Sequence, residues 1–311
     1  MKNVLIFLKL FKLAFVGFLE DNGLRLSASL SYYTIFSIAP ILIIVISLVG
    51  IFYGVDAVEG RIYGQINGWV GNVAAGQIQE IIKNVEHSEK SSGGVIVGSI
   101  ILLIGATGVF TEIQDSINYI WSIKAKPKKG WLKMILNRLL SFSLIAGFGF
   151  LLLVSLLVNT LMDILSDRLK LLFPEGTIYL FYLLNMMFIF FVISSLFAII
   201  FKVLPDAHIR WRDSFIGAFF TAFLFIAGKF LIGFYIINTN IGAAFGTTAS
   251  IILILLWVYY SSIILFFGAE FTKMYAINYG GKITPNDTAV FIVKQEVKEI
   301  SIETAKSKSI A

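Results

Sequence analysis

No cysteine occurs anywhere in this chain. That excludes disulfide staples, thiolate metal sites and a cysteine nucleophile, and it leaves the redox compartment unspecified. Histidine is almost absent too, with only His87 and His208. A nuclease-type metal centre needs clustered His, Asp and Glu ligands. Two isolated histidines and no HxHxDH-like string argue against that class, and no metal or cofactor is expected. Charge is also scarce. Asp, Glu, Lys and Arg make up 14% of the residues, against about a quarter in an ordinary soluble domain. The scarcity is local: no such residue lies between Arg25 and Asp56, Lys90 and Glu112, Arg138 and Asp163, Glu175 and Lys202, or Lys229 and Glu270.

What fills those windows is apolar. The chain is 58% hydrophobic with a mean hydropathy of +0.86. A helix rises about 1.5 Å per residue, so about 20 apolar residues cross a hydrocarbon core of about 30 Å. Backbone groups in lipid must pair internally, which makes each window a transmembrane helix. The expected fold is all-α and polytopic, with six spans near 29–53, 94–111, 139–162, 178–201, 214–237 and 248–272. Residues 1–24 form an amphipathic interfacial segment, 25–279 the membrane domain and 280–311 a polar tail.

Lys9 and Lys12 interrupt the first apolar run, so residues 2–20 read as a helix lying on the membrane surface rather than a cleaved signal. The long connection 55–93 carries apolar residues at helical spacing and is expected to form short outer-face helices. The tail is expected to be a short helix followed by a disordered end.

Lys and Arg set the orientation. Of 25, 19 fall in the N-terminal segment, the loops after spans two and four, and the C-terminal part; five fall on the opposite side, and Lys229 lies within span five. Both termini are therefore expected in the cytoplasm of a multi-pass protein. The net charge of +6 is spent beside spans, so nucleic acid is not an expected partner; membrane lipids are. Oligomeric state is not legible.

Four strings stand out from plain lipid-facing helices. They are RLSASLSYYTIFSIAPIL from Arg25, GVFTEIQDSINYIW from Gly108, LPDAHIRWRDSFIGAFF from Leu204 and LLWVYYSSIILFFGAEFTK from Leu255. In this order, with six spans, they resemble the YihY/virulence factor BrkB family of bacterial inner-membrane proteins. The resemblance covers about residues 20–277. It implies a six-helix plasma-membrane protein without a defined biochemical activity. Relatives have been linked to serum resistance and envelope biogenesis, and some carried the label ribonuclease BN, which the residues here do not support.

Intramembrane charge marks candidate sites. Lys229 and Glu270 qualify. By helical rise Lys229 sits about 6 Å outward of its span's middle and Glu270 about 15 Å inward, so a direct pair is not expected. Glu270 instead shares its depth with Glu112, Asp115 and Asn118 after span two, and with Asp206, Arg210 and Arg212 after span four. These groups form either a structural ion-pair belt or a vestibule for an anionic or lipid-like substrate, in which Glu112 and Glu270 position the arginines. Near Lys229 lie Asn185, Ser155 and Ser47, and its ammonium either contacts an anion or snorkels outward. Pro40 kinks span one as a hinge or a simple bend. Gly94, Gly98, Ala218 and Ala222 read as packing seams. The resulting expectation is a transporter or translocator of an envelope substrate without a catalytic constellation, with a non-transporting scaffold as the alternative.

Overall fold

The computed structural model describes residues 2–37, 92–126, 139, 143, 147, 176–238 and 249–294. Helix α1 spans Lys2–Glu20, and α2 takes residues 23–37. Then come α3 (Ser92–Ile120), α4 (Gly176–Val203), α5 (Trp211–Asn238) and α6 (Ala249–Asn278). Four short strands are β1 (Ile123–Ala125), β2 (Ala207–His208), β3 (Thr284–Pro285) and β4 (Ala289–Phe291). Among the described residues three helical stretches are long and apolar enough to cross a membrane: Met186–Val203, Trp211–Tyr235 and Ile252–Asn278. These match the last three expected spans. Helices α2 and α3 cover the start of span one and all of span two. Span three apart from residues 139, 143 and 147, the connection up to residue 91, Pro40, Ser47 and Ser155 lie outside the described residues.

Helices α4, α5 and α6 pack in sequence, with α5 between its neighbours. The α5–α6 seam is cut by two glycines. A side chain on Gly217 would collide with Thr272, and one on Gly268 would collide with Thr221. Each threonine hydroxyl donates to a carbonyl four residues back, Thr221 to Gly217 and Thr272 to Gly268, both at 2.7 Å. Those bonds satisfy the hydroxyls inside their own helices, so each threonine can enter the facing glycine notch without a stranded polar group. Small residues permit this close approach where lipid gives no hydrophobic drive to associate. Ala218 and Ala222, the expected seam, are fully buried on the same helix.

Helix α1 packs on α6 through Leu10, Ala14, Gly17, Phe18 and Asp21, a stripe at helical spacing. Its contacts run from Phe7, against Phe271, to Asp21, against Lys273, and include Phe11 and Phe18 against Phe267. That is about 21 Å along α1 but only about 11 Å along α6, from Phe267 to Met274 against Gly17, so α1 crosses α6 rather than running beside it. Its other face leaves Leu5, Leu8, Phe15 and Leu19 exposed, with Lys9 and Lys12. Asn22, in the left-handed region at φ 54°, separates α1 from α2.

The chain departs from the all-α expectation in the short strands that follow α3, α4 and α6. Lys282, at φ 65°, turns the backbone, and the following segment forms strands where a short helix was expected. β4 pairs antiparallel with β1, and β3 with β2. Residues 284–291 thus fasten the segments that follow α3 and α4. Asp213 secures the turn by accepting a hydrogen bond from the Gly281 amide at 2.8 Å.

Candidate functional site

Glu270 occupies the inward face of α6 and has no exposed surface. The surroundings explain why it fits. Helix α1 crosses there at Gly17, where any side chain would intrude on the Glu270 carboxylate. The Trp121 indole donates to the carbonyl of Ala269 at 3.1 Å and holds the end of α3 against the same turn of α6.

The carboxylate meets Lys273, one turn along, at 3.0 and 3.3 Å. The same ammonium reaches Asp21, at the end of α1, at 3.2 Å. Asp21 accepts a second ammonium from Lys294 at 2.6 Å. Lys294 in turn stands 3.8 Å from the ring centroid of Tyr119 on α3. Glu270, Lys273, Asp21, Lys294 and Tyr119 therefore form one chain of contacts joining α6, α1, the tail and α3. Side-chain exposure is 0% at Glu270 and 9% at Asp21, rising to 15% at Lys273 and 29% at Lys294. Charges this withdrawn persist because they are paired.

A second polar knot lies beside the strands. The Asn118 amide donates to Asp206 Oδ2 at 2.9 Å, and its carbonyl accepts from the Asp206 amide at 2.8 Å. The Asp206 carbonyl accepts from the Asn286 amide at 3.0 Å. Asn118 thus ties the last turn of α3 to the loop after α4, and the Asp206 carbonyl ties that loop to the tail.

The expected site residues divide between these settings. Asn118 and Asp206 come together directly. Glu270 is buried as described, but its salt bridge is to Lys273 rather than to the expected Arg210 or Arg212. Both arginines are exposed at the start of α5, with Arg210 lying over Gly281. Glu112 is half-buried and Asp115 exposed. Lys229 is half-buried in α5. Asn185 lies in α4, with its side chain outside the described residues. Asp21, Lys273, Lys294 and Tyr119 were not among the expected site residues. Lys294 lies in the expected polar tail, yet it belongs to the charged chain. A readable signal existed: the Ala289–Val293 run after Pro285, Asn286 and Asp287 has strand and turn composition.

Three membrane-length apolar helices among the described residues define a polytopic membrane protein. Comparison with known sequences makes this specific. The family model described as "Virulence factor BrkB" matches residues 14–290, and the chain belongs to that family. It is 27% identical to a UPF0761 membrane protein of Azotobacter vinelandii, over 82% of this chain and 60% of that protein. A UPF0761 membrane protein of Pseudomonas paraeruginosa is 26% identical over 81% of this chain and 59% of its own length. One from Ralstonia nicotianae is 24% identical, over 80% and 55% respectively. The matched region thus spans about three fifths of these curated relatives. No solved structure matches the chain.

Proposed function

We propose that this chain is a six-span protein of the bacterial inner membrane, with both termini cytoplasmic, that translocates an amphipathic envelope substrate with a charged headgroup. The observation that carries the reading is Glu270, a fully buried carboxylate within a membrane-length helix, whose partner Lys273 on the same helix also reaches Asp21 at the end of α1. Buried intramembrane charge faces protein or water and marks a pathway more often than a lipid-facing surface. Helix α1 is the interfacial element, with its exposed leucines in the leaflet and Lys9 and Lys12 at the headgroups.

In this reading the Glu270–Lys273–Asp21 cluster is the inner gate, and the packed arrangement is its closed state. Opening withdraws α1 and the tail from α6 and frees Lys273 to meet a headgroup. Arg210 and Arg212, exposed on the same side, raise the local concentration of anionic groups. No catalytic step is assigned.

The test is lipid movement across vesicles. Purified protein is reconstituted with headgroup-labelled lipid, and the label accessible to an impermeant quencher is followed. Wild-type protein should speed movement, and Glu270→Gln at equal reconstitution should slow it about tenfold, the loss of roughly 1.4 kcal/mol of transition-state stabilisation. Wild-type vesicles no faster than protein-free ones refute the reading. One observation favours a scaffold instead: Phe291 and Val293 lie exposed on the tail, outside the apolar helices, as a partner-docking surface would.

A further inference from the structure

Lys294 is seated in an unusual way for a residue of a polar tail. Its ammonium touches a carboxylate oxygen of Asp21 at 2.6 Å and lies 3.8 Å from the centroid of the Tyr119 ring. A carboxylate beside an aromatic face is a recognition pattern for ammonium groups, because the acid takes the N–H and the ring quadrupole takes the remaining charge. The strap that delivers Lys294 is short. β4 ends at Phe291, and the Ile292 amide donates to the carbonyl of Ser122 at 2.8 Å, just past Tyr119.

The charge balance depends on that one side chain. With Lys294 seated, two carboxylates, Asp21 and Glu270, face two ammoniums, Lys273 and Lys294. With Lys294 withdrawn, the two carboxylates share Lys273 alone. Asp21, 9% exposed while Lys294 is seated, is then left short of one cation. Such a site favours a replacement cation. The hydrogen bond to Asp21 requires an N–H, so a primary ammonium satisfies both partners, whereas a quaternary one satisfies only the ring.

We infer that Asp21 and Tyr119 form a binding seat for a primary-ammonium ligand, which Lys294 occupies as a tethered stand-in and vacates when the strap lifts. This deepens the translocation reading by naming the headgroup chemistry, yet the seat can be measured with no transport at all. The ammonium can belong to an aminophospholipid headgroup or to a free alkylamine.

The experiment uses the full chain in detergent. Lys294→Ala empties the seat, and n-propylammonium replaces the lost side-chain end. Thermal stability of the variant should rise saturably with n-propylammonium, as linkage requires for a ligand of the folded state. The wild type, whose seat is filled, should not respond, nor should Lys294→Ala combined with Asp21→Asn. Tetramethylammonium should give at most about a tenth of the effect, for want of an N–H. In parallel, native mass spectrometry compares bound phosphatidylethanolamine and phosphatidylglycerol. A gain of about fivefold or more in phosphatidylethanolamine alone, on Lys294→Ala, identifies the lipid headgroup as the source. A response to n-propylammonium without that gain identifies soluble amines. If Lys294→Ala does not fold, Lys294→Gln serves, with the same responses expected. No response in either arm, an equal response in wild type, or an equal effect of tetramethylammonium overturns the inference. Loss of lipid movement with these amine responses intact would refute translocation and leave the seat standing.

Discussion

Replacing Lys273 by methionine isolates what holds the buried carboxylate. Lys273 is the cation that both Glu270 and Asp21 share, at 3.0 and 3.2 Å. Methionine keeps most of the stem and removes the charge. Glu270, with no exposed surface, is then left without its counter-ion. Removing one partner of a buried pair costs about 3–5 kcal/mol. Lys294→Met takes a cation from the same Asp21, but that lysine is 29% exposed and water can hydrate what remains. Its expected cost is about 1 kcal/mol, near the range for exposed pairs. The double variant Glu270→Gln, Lys273→Met removes both charges and should recover at least about 2 kcal/mol of the single-variant loss, a coupling typical of directly paired residues. Equilibrium unfolding in mixed micelles, followed by helical signal, gives the three differences. Equal losses for Lys273→Met and Lys294→Met, or no recovery in the double variant, would refute the view that Glu270 is buried because Lys273 neutralises it.

Gly217→Val should wedge α5 from α6 at Thr272 and cost about 1–3 kcal/mol, with partial rescue by Thr272→Ala, read by the same unfolding assay. Asn118→Ala strips two hydrogen bonds from the buried Asp206 and should cost about 2–4 kcal/mol; a loss below about 0.5 kcal/mol, as for an ordinary surface change, would show that the knot is incidental. Reporter fusions after Lys294 should be active only as cytoplasmic reporters, because most Lys and Arg fall on that side; activity of an exported reporter there would invert the topology.

The membrane helices were legible because charge exclusion over a whole span is a long-range signal that no local packing detail can blur. Glu270 stood out for the same reason, as an acid inside an otherwise apolar run. Its partner did not. A lysine three residues on, at the end of a span, is also what a solvated helix end looks like. Asp21 carries no signal of its own in the sequence, and only the crossing of α1 over α6 makes it a neighbour of Lys273. Asn118 and Asp206 were grouped by depth alone, whereas their two-bond clasp is a fact of side-chain geometry across 88 residues. The tail strands are two and three residues long, too short to carry a period, and each exists through a partner far away in the chain.

The pairing of β1 with β4 sets an order of events during synthesis. Ala125 opposes Ala289, so the earlier strand leaves the ribosome well before its partner exists. At ordinary elongation rates the interval is on the order of ten seconds or more. Until then the segments after α3 and α4 lack their ladder partners. The last described residues then close both ladders at once. A ribosome that stalls before Thr284 would therefore release a chain with its apolar helices complete and these backbone edges still open, a form that membrane quality control could tell from the finished protein.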